Sequence, residues 1–262
     1  MAPPGVVFLM YHELESPGRP LVQSEPGYIR YVLREATSRS QIAWLRKNGW
    51  RGVSVGDALG AAASVAPLEK SVAITFDDGC ETDLIVAAPI LHDAGFHATF
   101  YVTVGFVGKP GYMSAAQLRE LNSSGSEIGC HSMTHAYLDD LDPQRMRVEI
   151  IDARSRLEDM IGRKVEHFSC PGGRYSEQAV GIARQAGYRS LATSGVYANQ
   201  PSTDPFRLGR VAIMRDTSQT EFEQICTGES LWRMRLSESV KTSVRKALGN
   251  TFYDRVRTAI LR

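Results

Sequence analysis

The sequence predicts an α/β fold built on a parallel sheet, with a C-terminal helical extension. Short apolar segments rich in β-branched residues alternate with amphipathic segments along most of the chain. Such alternation is typical of strands and helices that follow one another in a parallel sheet, either open or closed into a barrel. The apolar segments are continuous, which favours strands buried on both faces. With 262 residues, 43% of them hydrophobic, the chain is long enough for one large domain of this class.

Six apolar segments predict the strands. They are residues 6–11, 71–76, 98–104, 127–130, 166–169 and 190–193. Helical patterns lie at residues 83–94, 115–123, 143–161 and 177–186. Ser114 suits an N-cap, and Pro143 suits a first helical turn. The predicted helix ends are followed by C-terminal stop residues, namely Gly95, Gly125, Gly162 and Gly187.

The pattern changes near residue 230. Residues 231–236, 240–248 and 252–261 combine apolar positions with arginines and lysines, which predicts one or two basic amphipathic helices. We therefore predict a main domain at residues 1–229 and a helical tail at residues 230–262. Peripheral contact between the basic face of the tail and an anionic membrane is one interpretation. Packing of its apolar stripe on the domain is the other.

Composition and charge exclude several classes of function. A formal net charge of +1 at pH 7 gives no reason to expect nucleic acid as a partner. No apolar run reaches the length of about 18 residues that predicts a transmembrane helix, and the first residues lack the features of a signal peptide. We therefore expect a cytoplasmic protein. The four cysteines are too few for a disulfide framework in a chain of this length and are expected to be buried apolar filler, with a ligand or redox role as the alternative.

Two short segments carry acids and histidines in a spacing that suits metal chemistry. They are Thr-Phe-Asp-Asp-Gly at residues 75–79 and His-Ser-Met-Thr-His at residues 131–135. Asp78, His131 and His135 supply one carboxylate and two imidazoles, which can hold a divalent cation and leave positions open for water and substrate. Asp77 is adjacent to a ligand and is the candidate general base. Together these residues predict metal-assisted hydrolysis.

Each segment also has an ordinary explanation. Asp78-Gly79 suits a hairpin turn, and two histidines four positions apart occur on many protein surfaces. Here, however, the acidic pair follows an apolar strand, and adjacent carboxylates favour a compensating cation. His131 follows another predicted strand, and His12 and Pro171 follow two more. Because the carboxyl ends of parallel strands meet at one rim of a barrel, we expect these residues to converge.

The two segments resemble the first and second motifs of the polysaccharide deacetylase family, which includes the nodulation chitooligosaccharide deacetylases. The resemblance extends over roughly residues 5–225. Further stretches similar to the family pattern are Ala-Thr-Phe-Tyr-Val at 98–102, Ser-Gly-Ser-Glu-Ile-Gly-Cys-His at 124–131 and Phe-Ser-Cys-Pro-Gly-Gly-Arg-Tyr at 168–175. Met-Tyr-His-Glu at 10–13 is similar to the Tyr-His strand of exopolysaccharide deacetylases in which the motif order is permuted.

The resemblance implies a distorted (β/α) barrel of about seven parallel strands and hydrolysis of an N-acetyl group on a hexosamine. In this scheme Asp77 is the general base, and Asp78, His131 and His135 hold one divalent metal ion. Zn²⁺ is the expected metal, with Co²⁺ or Ni²⁺ as alternatives. A backbone N–H after the third-motif strand would stabilise the oxyanion. The resemblance thus places the substrate and oxyanion region at Pro171, Gly172, Gly173, Arg174 and Tyr175.

Three departures from the family pattern concern the residue that orients the base, the substrate groove and the proton donor. Ser169 stands where the family has an arginine that orients the base, so Arg174 or Arg210 is expected to replace it. Gly172 stands where the family has an aromatic residue, which is expected to widen the groove and to admit a different sugar or a bulkier substrate. The C-terminal Leu-x-x-His that supplies the general acid is missing. By the permuted pattern, His12 is the candidate general acid, and a histidine satisfied by local hydrogen bonds is the alternative.

The sequence therefore predicts a metal-dependent deacetylase that acts on an acetylated sugar, oligosaccharide or glycolipid precursor in an exopolysaccharide or oligosaccharide pathway. A hydrolase for another small-molecule amide or ester on the same fold is one alternative. A catalytically silent glycan-binding protein is the other. The presence of Asp77 beside all three candidate ligands favours an enzyme, because a silent protein has no need of the base.

Overall fold

The computed structural model of the protein describes residues 5–63 and 69–236. Its strands within these residues are short. In chain order they are β1 (Val7–Tyr11), β2 (Leu14–Glu15), β3 (Leu33–Arg34), β4 (Arg51–Val53), β5 (Ser71–Phe76), β6 (Thr99–Val102), β7 (Glu127–Cys130), β8 (His167–Ser169), β9 (Ser190–Ala192) and β10 (Val211–Ala212). All six predicted strands are present, β5 and β7 with the predicted bounds.

The main sheet has the strand order β10-β1-β5-β6-β7-β8-β9, and β4 pairs with the beginning of β5. Every pairing in it is parallel. Leu208 also forms a parallel bridge with Ala192 in β9, so the segment that leads into β10 contacts both ends of the sheet. The sheet therefore curls round on itself. This confirms the predicted distorted (β/α) barrel of about seven parallel strands. Strands β2 and β3 pair with each other separately.

The helices flank this sheet. Those of the described residues are α1 (Pro26–Ile29), α2 (Glu35–Lys47), α3 (Val55–Ala63), α4 (Ala88–Ala94), α5 (Ala115–Ser123), α6 (Pro143–Arg147), α7 (Ala153–Ile161), α8 (Glu177–Gln185) and α9 (Gln219–Thr227). A π-helical turn, Asp83–Ala87, precedes α4, and another, Val148–Asp152, joins α6 to α7. The predicted helices at 83–94 and 143–161 therefore each contain a wide turn, a feature that is frequent at functional sites.

The predicted helix ends agree with the structure. Ser114 is the N-cap of α5 and forms a reciprocal capping box with Gln117. Pro143 opens α6. Gly95 and Gly162 end α4 and α7 with φ of 72° and 70°, a left-handed conformation that glycine adopts without steric cost.

Strand β5 illustrates why the apolar segments are continuous. All six of its residues are buried, because the sheet is covered on both faces. Val72 and Ile74 pack with the flanking helices, whereas Ala73 packs with Phe8 and Tyr101 on the other face. Side chains alternate between the two faces of a strand. Thr75 therefore lies on the same face as Ala73, which is the inside of the barrel.

The predicted tail lies mostly beyond the described residues. Residues 231–236 are helical, whereas 237–262 lie outside the described part, and the domain boundary at 229/230 stays a prediction. Within the described residues, no helix combines the length and apolar character needed to cross a bilayer. All four cysteines are buried and unbridged, in line with the predicted apolar role.

Candidate metal centre

The motif residues meet at the carboxyl ends of neighbouring strands. Tyr11 of β1 lies opposite Phe76 of β5, so His12 and Asp77 leave the sheet at the same level. The backbone N–H of Asp77 donates to the carbonyl of Tyr11 at 3.0 Å. His131 follows β7, the next strand but one after β5. The expected convergence at one rim of the barrel is therefore observed for these residues.

Three side chains present donor atoms to a common point. Asp78 Oδ1 lies 3.3 Å from His135 Nε2 and 3.6 Å from His131 Nε2, and the donor atoms of all three residues lie within 4.8 Å of one another. Two ligands bound at about 2.1 Å to a tetrahedral cation are separated by about 3.4 Å. Asp78 Oδ1 is buried and has no hydrogen-bond partner among the described residues. The spacing and the unpaired oxygen fit a divalent cation.

His131 is held in the form that binds metals. Its Nδ1–H donates to the backbone carbonyl of Ser169 at 2.9 Å, which directs Nε2 towards Asp78. Burial lowers the pKa of His131 to about 4, and this effect exceeds the opposing effect of Asp77. The imidazole is therefore neutral at physiological pH, with its Nε2 lone pair directed into the site.

The backbone at this centre is held in an uncommon conformation. Asp78, Ser132 and His135 have φ of 83°, 70° and 66°. In the described residues only one other non-glycine residue, Lys70, has a positive φ. Such conformations cost on the order of 1 kcal/mol each and persist where surrounding contacts enforce them. Such conformations cluster at functional sites, which favours a functional role for this centre.

Glu149 holds the turn that carries both histidines. Its carboxylate accepts hydrogen bonds from the backbone N–H of Met133 at 2.9 Å and of Thr134 at 2.8 Å, and from the Thr134 hydroxyl at 2.6 Å. Ser132 Oγ accepts from the backbone N–H of His135 at 2.9 Å. Glu149 is buried and lies in the π-helical turn between α6 and α7. Sequence reasoning missed it; the available signal was an acidic residue on the apolar face of a predicted helix.

Replacing Glu149 by glutamine is expected to lower the affinity for Zn²⁺ by about 10- to 100-fold, because it removes the charged acceptor that orders the histidine turn. The measurement is a competition titration against a chromophoric chelator, together with thermal unfolding of the metal-free protein. Glu120→Gln is the matched control, since Glu120 is an exposed glutamate on α5. Equal Zn²⁺ affinities in Glu149→Gln and the wild type would contradict the assigned contact.

Arg210 pairs with Asp77 inside the barrel. Its guanidinium donates to both carboxylate oxygens, at 2.7 Å and 2.8 Å, and its side chain is 0% exposed. It also donates to Ser169 Oγ at 2.7 Å, to Thr75 Oγ1 at 3.2 Å and to the carbonyl of Thr193 at 3.3 Å. Ser169 thus accepts a hydrogen bond from the same Arg210 guanidinium that pairs with Asp77. Of the two arginines that the sequence left open, Arg210 is the one that contacts Asp77.

This pairing determines the charge state of Asp77. Burial alone would raise the pKa of the carboxyl, but Arg210 and His131 outweigh burial and hold the pKa of Asp77 well below its usual range. Asp77 is therefore a carboxylate across the physiological pH range. A fixed, charge-assisted pair also restricts the orientation of its two oxygens.

His12 lies at the edge of the same centre. Its ring stacks at a tilt on Tyr31, with centroids 4.9 Å apart. Its Nδ1 is buried and makes no hydrogen bond to any described residue. Burial lowers the pKa of His12, whereas the carboxylates of Asp78 and Asp77 act in the opposite direction. The alternative role for His12, a histidine satisfied by local hydrogen bonds, predicts a partner for Nδ1. No described residue provides that partner.

The third-motif segment forms a short 3₁₀ turn, Pro171–Gly173, directly after β8. Gly172 and Gly173 have φ of 60° and 66°. Arg174 is buried, and its guanidinium lies 3.7 Å above the ring centroid of Tyr137. Tyr175 is half-buried and packs on the main core. The segment thus reaches the metal-site rim, but its arginine is directed to an aromatic ring and not to Asp77.

Comparison with known proteins identifies a family match and related sequences. Residues 64–191 match the polysaccharide deacetylase family. YxkH of Bacillus subtilis strain 168, whose name places it among the polysaccharide deacetylases, is 27% identical over 221 residues, which is 84% of this chain and 75% of that protein. The chitooligosaccharide deacetylase of Azorhizobium caulinodans is 33% identical over 138 residues, which is 52% of this chain and 64% of that protein.

A solved structure shares the fold. The deacetylase PplD of Streptococcus pyogenes, determined in complex with acetate, superposes with a TM-score of 0.75 at 22% identity, and the match covers 86% of this chain and 99% of that chain. The family match lies on the strands and loops that carry Asp77, Asp78, His131 and His135. The chain thus carries a polysaccharide deacetylase domain, matched over residues 64–191.

Proposed function

We propose that this protein is a metal-dependent hydrolase that removes N-acetyl groups from an N-acetylhexosamine-containing glycan or glycolipid precursor. The observation that carries the proposal is the cluster of Asp78, His131 and His135 beside an Asp77 carboxylate that is not part of the cluster. The similarity to a protein named chitooligosaccharide deacetylase supports an acetylated amino sugar as substrate. We infer Zn²⁺ as the metal, because one carboxylate and two imidazoles suit it.

A cation held by Asp78, His131 and His135 would polarise the acetyl carbonyl and lower the pKa of water. Asp77 accepts the proton of the attacking water in this scheme. Arg210 keeps Asp77 ionised and fixes its orientation through two hydrogen bonds. A pre-positioned base of this kind needs no reorganisation when the tetrahedral centre forms.

The developing oxyanion also needs a hydrogen-bond donor from the protein. The backbone N–H groups of Gly173 and Arg174 already donate to the carbonyls of Cys170 and Pro171. Proline has no N–H, so we assign the role to the N–H of Gly172, which lies on the same turn after β8.

His12 delivers a proton to the leaving amine in this scheme. His12 follows β1, whereas the third-motif turn follows β8, and these two strands lie on opposite sides of β5 in the sheet. Burial lowers the pKa of His12, and the carboxylates of Asp78 and Asp77 oppose this effect. Asp77 and His12 thus divide the roles of base and acid.

The direct test is acetate release from N-acetylglucosamine oligomers by the purified protein loaded with Zn²⁺, Co²⁺ or Ni²⁺, before and after treatment with a chelator. We expect hydrolysis that the chelator removes and added metal restores. A panel that includes other acylated amides and esters tests the alternative substrate class. Glycan binding without hydrolysis of any acylated sugar would overturn the proposal and favour a silent binding protein.

Replacing His12 by alanine is expected to lower kcat by about 10²- to 10⁴-fold, the usual contribution of a general acid, while the metal content stays unchanged. Steady-state kinetics and metal analysis of the same samples measure both quantities. His92→Ala is the control, because His92 is exposed on α4. A fully active His12→Ala enzyme would remove His12 from the mechanism.

The position of the reaction in the cell follows from the proposed substrate. A glycan or lipid-linked precursor in an exopolysaccharide or oligosaccharide pathway is the class of substrate we propose. The cytoplasmic location and the peripheral membrane contact through residues 230–262 stay predictions. Truncation after residue 229, followed by flotation with anionic liposomes, would distinguish membrane contact from packing on the domain.

A further inference from the structure

We propose that Tyr137 forms the aromatic wall of the sugar groove in place of the aromatic residue that position 172 lacks. The proposal rests on the deacetylase function proposed above and concerns its substrate specificity. It also reverses an expectation from the sequence, since Gly172 was expected to leave the groove wider at this point.

The geometry at Gly172 carries the inference. A Cβ atom added to this glycine would lie 2.8 Å from Cε1 and 3.3 Å from Cδ1 of Tyr137. The ring of Tyr137 therefore occupies the volume into which a side chain at position 172 would project. The φ of Gly172, 60°, also disfavours any larger residue. Gly172 and Tyr137 thus form a matched pair, in which one residue is small so that the ring of the other fits.

Arg174 fixes the ring from one side. Its guanidinium carbon lies 3.7 Å from the ring centroid, a close stacking contact, and Arg174 is only 5% exposed. Tyr137 itself is partly exposed. The buried guanidinium of Arg174 thus covers one face of the ring. A ring held in this way offers a rigid apolar platform at low cost in conformational entropy.

The position of Tyr137 relates this platform to the reaction. Tyr137 comes two residues after His135, so the wall and a metal ligand share one backbone segment. Two other rings border the centre: Tyr31 packs on His12, and Phe106 stacks near His135 at a centroid distance of 6.1 Å. The ring of Tyr137 lies next to the third-motif turn, Pro171–Gly173. We infer that a hexosamine ring packs against Tyr137 while its acetyl group faces the metal.

The test compares Tyr137→Ala, Tyr137→Leu and Tyr137→Phe on N-acetylglucosamine oligomers. Loss of the aromatic face in the alanine and leucine variants is expected to raise KM by about tenfold, with kcat changed much less and with metal content and thermal stability retained. The phenylalanine variant keeps the ring and is expected to restore KM to near the wild-type value. Trp232→Ala controls for removal of an exposed aromatic residue elsewhere, since Trp232 is 59% exposed.

The outcomes separate this proposal from the function on which it rests. A wild-type KM in both the alanine and the leucine variant, on a sugar that the enzyme hydrolyses, would overturn the role of Tyr137 and leave the deacetylase function intact. A fall in kcat with loss of metal would assign Tyr137 to the histidine turn and not to the groove. Absence of sugar hydrolysis in the wild-type protein would contradict both.

Discussion

Replacing Asp77 by asparagine is expected to lower kcat for deacetylation by about 10²- to 10⁴-fold, because the amide cannot accept the proton of the attacking water. Metal binding is expected to persist, since the three donor atoms come from Asp78, His131 and His135. The measurement pairs steady-state kinetics with metal stoichiometry on the same preparation. A variant that loses turnover and keeps its metal separates the base from the ligands.

The same substitution also disturbs a buried ion pair. Asparagine leaves Arg210 without its carboxylate partner in the barrel interior, so the free energy of unfolding is expected to fall as well. Chemical denaturation therefore accompanies the kinetics, and activity is compared only where the variant is folded. Asp159→Asn, at an exposed position on α7, is the control. Full activity in Asp77→Asn would contradict the assignment of the base.

Replacing Arg210 by methionine is expected to lower the free energy of unfolding by about 3–5 kcal/mol at pH 7, because it leaves the Asp77 carboxylate buried and unpaired. Arg207→Met is the matched control. Arg207 also pairs with an acid, at 2.7 Å from Glu177, but is 44% exposed. Exposed pairs contribute roughly 0–1 kcal/mol, so this change is expected to be small. Urea unfolding of the metal-free proteins measures both differences.

The loss is expected to depend on pH. In the wild type the pKa of Asp77 is lowered, so its contribution to stability is complete above the pKa of the unfolded chain and is lost only as the pH falls through the lower, folded pKa. Without Arg210, burial is the largest remaining influence and raises that pKa. At neutral pH the buried carboxylate therefore lowers the free energy of unfolding of the variant. This loss becomes smaller as the pH falls and the carboxyl takes up a proton. We expect the difference between the two proteins to be smaller at pH 4.5 than at pH 7. A difference independent of pH, or one equal to that of Arg207→Met, would contradict the pairing.

The parallel sheet and the loops that carry the motifs could be predicted from local patterns. Strand β5 is a run of six buried residues ending at an acidic pair, and this combination predicted both the strand and the start of the site. The chain between β1 and β5 was harder to predict. Its strands β2, β3 and β4 have only two or three residues each, and Glu13 and Leu14 are buried within a segment rich in proline, glycine and serine. Their burial depends on neighbours far along the chain.

The contacts around the metal-site residues required the structure. Arg210 lies 133 positions from Asp77 in the sequence, and both Arg210 and Arg174 were equally compatible with the motif pattern. Glu149 contacts the histidine turn because a π-helical turn places it there, and no residue-level signal distinguishes such a turn in advance. The ring of Tyr137 fills the space left by Gly172, a contact that no local sequence pattern indicates.

By itself, the sequence determined the class of sheet and singled out the candidate metal ligands, because alternation of strand and helix and the spacing of acids and histidines are local properties of the chain. The tertiary structure alone decided which arginine pairs with Asp77, which acid orders the histidine turn and which ring occupies the space left by Gly172. These contacts join strands and turns that are remote in sequence. They form only when the sheet curls round and brings its strand ends, and the side chains inside it, to one side of the barrel.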